Sequence, residues 1–145
     1  MLQTELITNL NNPFIDEIAN ILKKWINIDK IEEIKNGIKH KTYPYTITLF
    51  LDNTLIGFYQ IVLHDNDNTN YLPWIANVFI KEEYRKQGYG KKLIKTIPKY
   101  MSKLNINNIF LHTRHKNLYE KFGWQLMQIL DLNDNIIHYM YTLKK

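Results

Sequence analysis

Two glycines set between an apolar strand and an amphipathic helix leave a chain few folds to choose from, and this arrangement lies between Pro73 and Leu104. Trp74 to Ile80 is an aromatic and β-branched run, bounded by Pro73 and the charged Lys81-Glu82-Glu83, and predicts a buried strand. Leu93, Ile94, Ile97, Tyr100, Met101 and Leu104 share one helical face and predict an amphipathic helix, which Pro98 should kink or interrupt. Between them runs Arg85-Lys86-Gln87-Gly88-Tyr89-Gly90. Glycine at such a turn lets backbone N–H groups converge on a ligand with no Cβ in the way. The unpaired N–H groups that open a helix favour an anion, most naturally a phosphate. Lys86, Lys91 and Lys92 add positive charge at the same point.

The glycine pair alone is also what a plain strand-to-helix turn looks like. It is not Gly-x-Gly-x-x-Gly, because Leu93 holds the third position, and no Gly-Lys-Ser/Thr follows. What remains is Arg-x-x-Gly-x-Gly after a strand and before a helix, which resembles the pyrophosphate-binding motif of the GNAT superfamily of N-acetyltransferases. Downstream, Leu118-Tyr119-Glu120-Lys121-Phe122-Gly123-Trp124 is similar to that family's Leu-Tyr-Glu-Lys-x-Gly-Phe segment. Two motifs in the right order, over roughly residues 45 to 143, are far more specific than either one.

Composition is compatible with this. At 145 residues the chain suits a single domain spanning residues 1–145, and 45% hydrophobic with 13% aromatic residues are globular values. No cysteine is present, which excludes disulfides, a thiol nucleophile and zinc–thiolate sites. No apolar run approaches membrane-spanning length and the start lacks a signal-peptide pattern, so a cytoplasmic protein that does not enter a membrane is expected. The net charge of +5 could serve nucleic acid, but arginine occurs only at 85 and 114, so nucleic acid is an unlikely partner.

Along the chain, Asn12-Pro13 should cap and open a helix whose apolar face includes Ile15, Ile18, Leu22 and Trp25, with Trp25 in the core. Asp29 and Glu32 have capping-box spacing for a second helix, which Gly37 would disturb or end. Thr46–Leu51 and Thr54–His64 read as a hairpin around Asp52-Asn53, with Gly57 permitting a bulge or close approach. Ile109–Thr113, Trp124–Leu132 and Ile136–Leu143 complete the strands, with a turn at 133–135, and Leu2–Thr8 could add a first one. The expected fold is α/β: a mixed, mainly antiparallel sheet of about seven strands, about four helices and one parallel crossover.

The resemblance implies acetyl-CoA as co-substrate, no metal, and transfer of an acetyl group to a primary amine of a small molecule or peptide. It assigns Val78, Phe79 and Ile80 of the central strand to the pantetheine arm and thioester oxygen. Arg85, Lys86, Gln87, Gly88, Tyr89, Gly90 and Lys91 are assigned to the pyrophosphate, and Tyr119 to protonation of the departing thiolate. The central strand lacks the carboxylate that many relatives carry, since Trp74, Ile75, Ala76 and Asn77 occupy that region. His112 is then the first candidate base and His64 the second, with water as the remaining option. Asn117 does not fit the family's pantetheine-binding asparagine, because only Arg114 to Leu118 separate strand and tyrosine. That shortening, with Pro-Trp-Ile-Ala, resembles a bacterial subgroup of undefined substrate, in which Trp74 would either line the acceptor pocket or belong to the core. Asp65, Asp67 and Glu17 are candidate carboxylates for a cationic amine. A homodimer is compatible with the sequence, and the rival classes are a non-catalytic acyl-CoA sensor and a basic nucleic-acid-binding module.

Overall fold

Alternating apolar segments interrupted by Asn, Asp and Gly turns build one twisted sheet flanked by helices. The computed structural model describes residues 1–65, 70–132 and 134–145. Its strands are β1 (Leu2–Leu6), β2 (Tyr45–Leu51), β3 (Thr54–Val62), β4 (Trp74–Ile80), β5 (Asn108–Thr113), β6 (Gln125–Asp131) and β7 (Ile137–Lys144). They lie in the order β1-β2-β3-β4-β5-β7-β6. Every neighbouring pair is antiparallel except β4 and β5. The turn between β2 and β3 places Asp52 and Asn53 at φ 47° and 71°, the left-handed pair a tight hairpin requires.

The helices are α1 (Ile15–Ile26), α2 (Ile31–His40), α3 (Tyr89–Ile94) and α4 (Ile97–Lys103). α1 begins two residues later than Asn12-Pro13 suggests. Asn12 Oδ1 instead accepts the Phe14 N–H at 2.9 Å and turns the chain into the helix. Gly37 does not end α2 but lies inside it, where an added Cβ would stand 2.4 Å from the Pro44 carbonyl oxygen. The single long helix expected after the glycine turn is divided in two. Pro98 cannot donate a hydrogen bond and sits in the first turn of α4, where that loss costs nothing.

The core has two main layers. Ile15, Ile18, Leu22 and Ile34 of α1 and α2 pack on Phe50, Leu55 and Phe58, while Leu93, Ile97, Tyr100 and Met101 of α3 and α4 pack on Ile47, Leu49, Ile56 and Ile75. Leu49 and Phe50 are consecutive in a strand and belong to different layers, so the helix pairs cover opposite faces of the sheet. Each fully buried Ile or Leu in these layers contributes roughly 1.5–3 kcal/mol. A third, smaller cluster of Trp74, Phe110 and Met140 joins β4, β5 and β7. No helix among the described residues is long and apolar enough to cross a membrane.

Candidate active site

The sheet is open in the middle, and local irregularity in β4 explains why. Phe79 pairs with Phe58 and Ala76 with Gln60, so Asn77 and Val78 stand opposite the lone Tyr59. This is a β-bulge, and Asn77 carries it at φ 55°, a conformation asparagine tolerates better than most side chains. Asn77 Nδ2 donates to Gln60 Oε1 at 2.8 Å, and Gln60 Nε2 donates to Thr46 Oγ1 at 3.1 Å. Gln60 and Thr46 are buried, so the bulge is fixed by a polar chain with no competing water. Gly57, opposite Ile80, lets the bent end of β4 approach, since a Cβ there would lie 2.6 Å from the Phe79 carbonyl oxygen.

The bulge turns β4 away from β5. Their register is a single pair, Trp74 with Phe110, supported by the Phe110 N–H donating to the Pro73 carbonyl at 3.0 Å. Beyond that point Val78, Phe79 and Ile80 are only half-buried although their strand is central. Their edge toward β5 has no strand partner, and unpaired backbone groups there are available to a ligand.

At the far end of β4 the chain makes the glycine turn. Lys86 and Gly88 adopt φ 61° and 86°. A Cβ on Gly88 would meet no protein atom within 4 Å, and one on Gly90 would meet only Ile80 Cγ1, at 4.0 Å. The space both glycines leave is a cavity of about 310 Å³ lined by Ile80, Tyr84, Arg85, Lys86 and Tyr89 as well as the glycines. The first bond of α3 is Lys92 N–H to Gly88 O at 3.2 Å, so the N–H groups of Tyr89, Gly90 and Lys91 have no carbonyl within the helix. Arg85 does not point freely into this space. Its Nε donates to the Ile80 carbonyl at 2.7 Å and its guanidinium lies 5.3 Å from the Phe79 ring, clamping the turn to β4. Gln87 likewise donates to the Glu83 carbonyl at 3.2 Å, whereas Lys91 is exposed.

The gap between β4 and β5 is a cleft of about 440 Å³. Tyr119 reaches it from the 3-10 turn Tyr119–Phe122, which Gly123 ends at φ 89°. The ring is fixed by Trp124 at 5.9 Å and Tyr141 at 5.8 Å between centroids. Burial pushes the phenol above its ordinary pKa, so the hydroxyl keeps its proton at neutral pH. His112 also lines the cleft, with Nε2 2.7 Å from Asp65 Oδ2 and Nδ1 enclosed without a hydrogen-bond partner among the described residues. His138 stands 5.3 Å from the His112 ring and pairs with Asp134 at 2.7 Å. That contact holds the Asp134 carboxyl below its usual pKa.

Several expectations are corrected here. Trp74 does not line the acceptor space: it is fully buried, packs on Phe110 and donates Nε1–H to the Tyr71 carbonyl at 2.7 Å. Trp25 is not core but half-exposed, and it lines the cleft. Asp65 is engaged by His112, and Glu17 is paired with Lys81 at 3.0 Å. His64 is exposed and is not among the cleft-lining residues, while Asp67 lies outside the described residues. Asn117 adopts φ 71° and its N–H donates to the Tyr141 hydroxyl at 3.4 Å. Arg114, His115 and His138 border the cleft without any local sequence signal.

A glycine turn with unpaired N–H groups, a strand with a free edge leading to it and a tyrosine across the gap are thus brought together at the middle of the sheet. Residues 8–124 match the model of the acetyltransferase (GNAT) family, and the chain belongs to that family. It is 32% identical over 100 residues, 63% of this chain, to a spermine/spermidine N(1)-acetyltransferase of Bacillus subtilis (strain 168). That match spans 66% of the relative's length. The fold is shared with an aminoglycoside 6'-N-acetyltransferase complexed with coenzyme A at TM-score 0.71 and 13% identity, covering 98% of this chain and 96% of the other. It is shared as well with a Bacillus subtilis acetyltransferase in complex with CoA, at TM-score 0.63 and 19% identity over 100% and 99% of the two chains.

Proposed function

We propose that this protein transfers the acetyl group of acetyl-CoA to a primary amine of a small molecule or peptide by direct attack. The observation that carries the reading is convergence: one cleft holds Val78 of the free β4 edge and Tyr119, and the glycine-turn cavity begins at Ile80, two residues further along the same strand. The turn would take the pyrophosphate on backbone N–H groups, and the β4 edge would hold the pantetheine arm and polarise the thioester carbonyl. The amine nitrogen forms a bond to the carbonyl carbon, the carbon–sulfur bond breaks, and the sulfur takes its proton from Tyr119. The amine's proton goes to the Asp65–His112 pair through the Asp65 carboxylate, because His112 Nε2 is engaged by that carboxylate and Nδ1 is enclosed.

The relative's name makes polyamines the first acceptors to screen. With thiol release as readout, the expected result is acetyl-CoA turnover with at least one primary amine. Tight CoA binding with no turnover on any amine would favour a sensor instead. Salt-dependent oligonucleotide binding without CoA binding would favour a nucleic-acid module. For the base, His112→Ala should remove the acidic limb of the pH–rate profile and leave the alkaline limb, since only the group that must be unprotonated is lost. Persistence of the same acidic limb in a folded variant would exclude the pair and leave water as the proton acceptor.

A further inference from the structure

We infer that Trp25 is the acceptor's cation platform: its indole holds a positively charged, non-reacting end of the amine substrate. The inference rests on the proposed acetyl transfer and adds the chemical class of the acceptor.

The cleft passes through the sheet, and its two mouths differ. Tyr119, α3 and the glycine turn belong to the face that α3 and α4 cover, whereas Trp25 closes the last turn of α1 on the opposite face. An arm entering from the turn therefore leaves the α1 mouth to the second substrate. Trp25 is 50% exposed there, while Trp74 and Trp124 are 0% and 3% exposed. One exposed tryptophan is ordinary, but this ring is braced. Its centroid lies 5.3 Å from Phe79, and Phe79 stacks at 5.5 Å on buried Phe58. Bracing removes much of the ordering cost of binding, and the exposed half of the ring remains available to a ligand.

Trp25 meets β4 at the Phe79 ring and stands on the α1 face, opposite the face that carries Tyr119, so it lies away from the point where the reacting nitrogen must sit. It can touch only a part of the acceptor several bonds away. Among the described residues lining the cleft, Asp65 is the carboxylate, and His112 engages it. A distal ammonium therefore meets indole rather than a free carboxylate. A half-hydrated aromatic face suits an ammonium, which keeps water on its outer side; a purely apolar tail would gain more from an enclosed wall.

The probes are 1,4-diaminobutane and n-butylamine, which differ in the distal ammonium. Trp25→Ala and Trp25→Leu should raise KM for the diamine by roughly 2- to 30-fold, with kcat and the KM for acetyl-CoA little changed. Trp25→Phe should stay near wild type, and KM for n-butylamine should not move in any variant. Equal behaviour of Trp25→Leu and Trp25→Phe, or an unchanged diamine KM in Trp25→Ala, would overturn the platform. A second readout needs no chemistry: 1,4-diaminobutane with CoA should shield tryptophan emission from acrylamide in wild type, and the shielding should vanish in Trp25→Phe. Shielding without turnover would keep the platform and remove the acetyl-transfer reading. Turnover without shielding would do the reverse.

Discussion

Tyr119→Phe should lower turnover by roughly ten- to ten-thousand-fold, the span expected when a general acid is removed. Acetyl-CoA affinity and thermal stability should change little. The ring would still pack between Trp124 and Tyr141, and among the described residues no protein group hydrogen-bonds its hydroxyl. The size of the loss follows from timing. A free thiol has a pKa near 8.5 and a phenol one near 10, and burial raises the Tyr119 phenol further, so transfer to a finished thiolate is uphill. The hydroxyl is useful only while charge develops on sulfur, when a positioned donor stabilises the transition state more than the bound substrate. Single-turnover kinetics beside a binding isotherm would separate the two. Unchanged turnover in a folded Tyr119→Phe protein would detach the tyrosine from the chemistry and leave acyl-CoA binding as the better reading.

Gly88→Val should weaken CoA binding by roughly tenfold or more, which corresponds to at least about 1.4 kcal/mol. Two effects combine at that position. Backbone strain at φ 86° costs roughly 1–2 kcal/mol for a residue with a side chain, and the side chain enters space that no protein atom fills. Gly90→Ala separates them. Gly90 lies inside α3 without a left-handed φ, and its Cβ would meet only Ile80 Cγ1, at 4.0 Å. Alanine there should leave the fold intact, or stabilise it by roughly 0.5–1 kcal/mol, yet still weaken CoA binding by crowding the pyrophosphate. Calorimetry with CoA and a thermal melt of each variant would show this. Wild-type CoA affinity in both folded variants would remove the pyrophosphate from the turn.

The sheet was largely legible because its signals are local. Trp74–Ile80 announces β4 by composition, Asp52-Asn53 sets the first hairpin, and Pro98 interrupts the helix that follows the glycines. The glycine turn is legible for the same reason, since strand, turn and helix are contiguous. What was missed depends on distance in the chain. Asp65 and His112 are 47 residues apart and meet only because Asp65, just past the end of β3, is brought against β5 by the fold. Asn77 and Gln60, which fix the bulge, are 17 apart, and neither residue alone predicts the irregularity. Trp25 failed for another reason. It continues the stripe of Ile18 and Leu22, but periodicity identifies a face and not what covers it, and the last turn of α1 overhangs the cleft. Trp74 is the converse, an aromatic in the strand that borders the cleft, taken up by packing and by its hydrogen bond to the Tyr71 carbonyl.

The single register between β4 and β5 divides the sheet into two blocks, β1 to β4 and β5, β7, β6, seamed at one end by Trp74, Phe110 and Met140. A donor molecule laid along the open seam would add ladder-like bonds to the core of Ile75, Leu111 and Tyr141 that already joins the blocks, so occupancy would strengthen their cohesion. By mass action, binding that favours the folded chain adds stability in proportion to the logarithm of donor concentration. The supply of thioester would then govern how long the protein lasts as well as how fast it works.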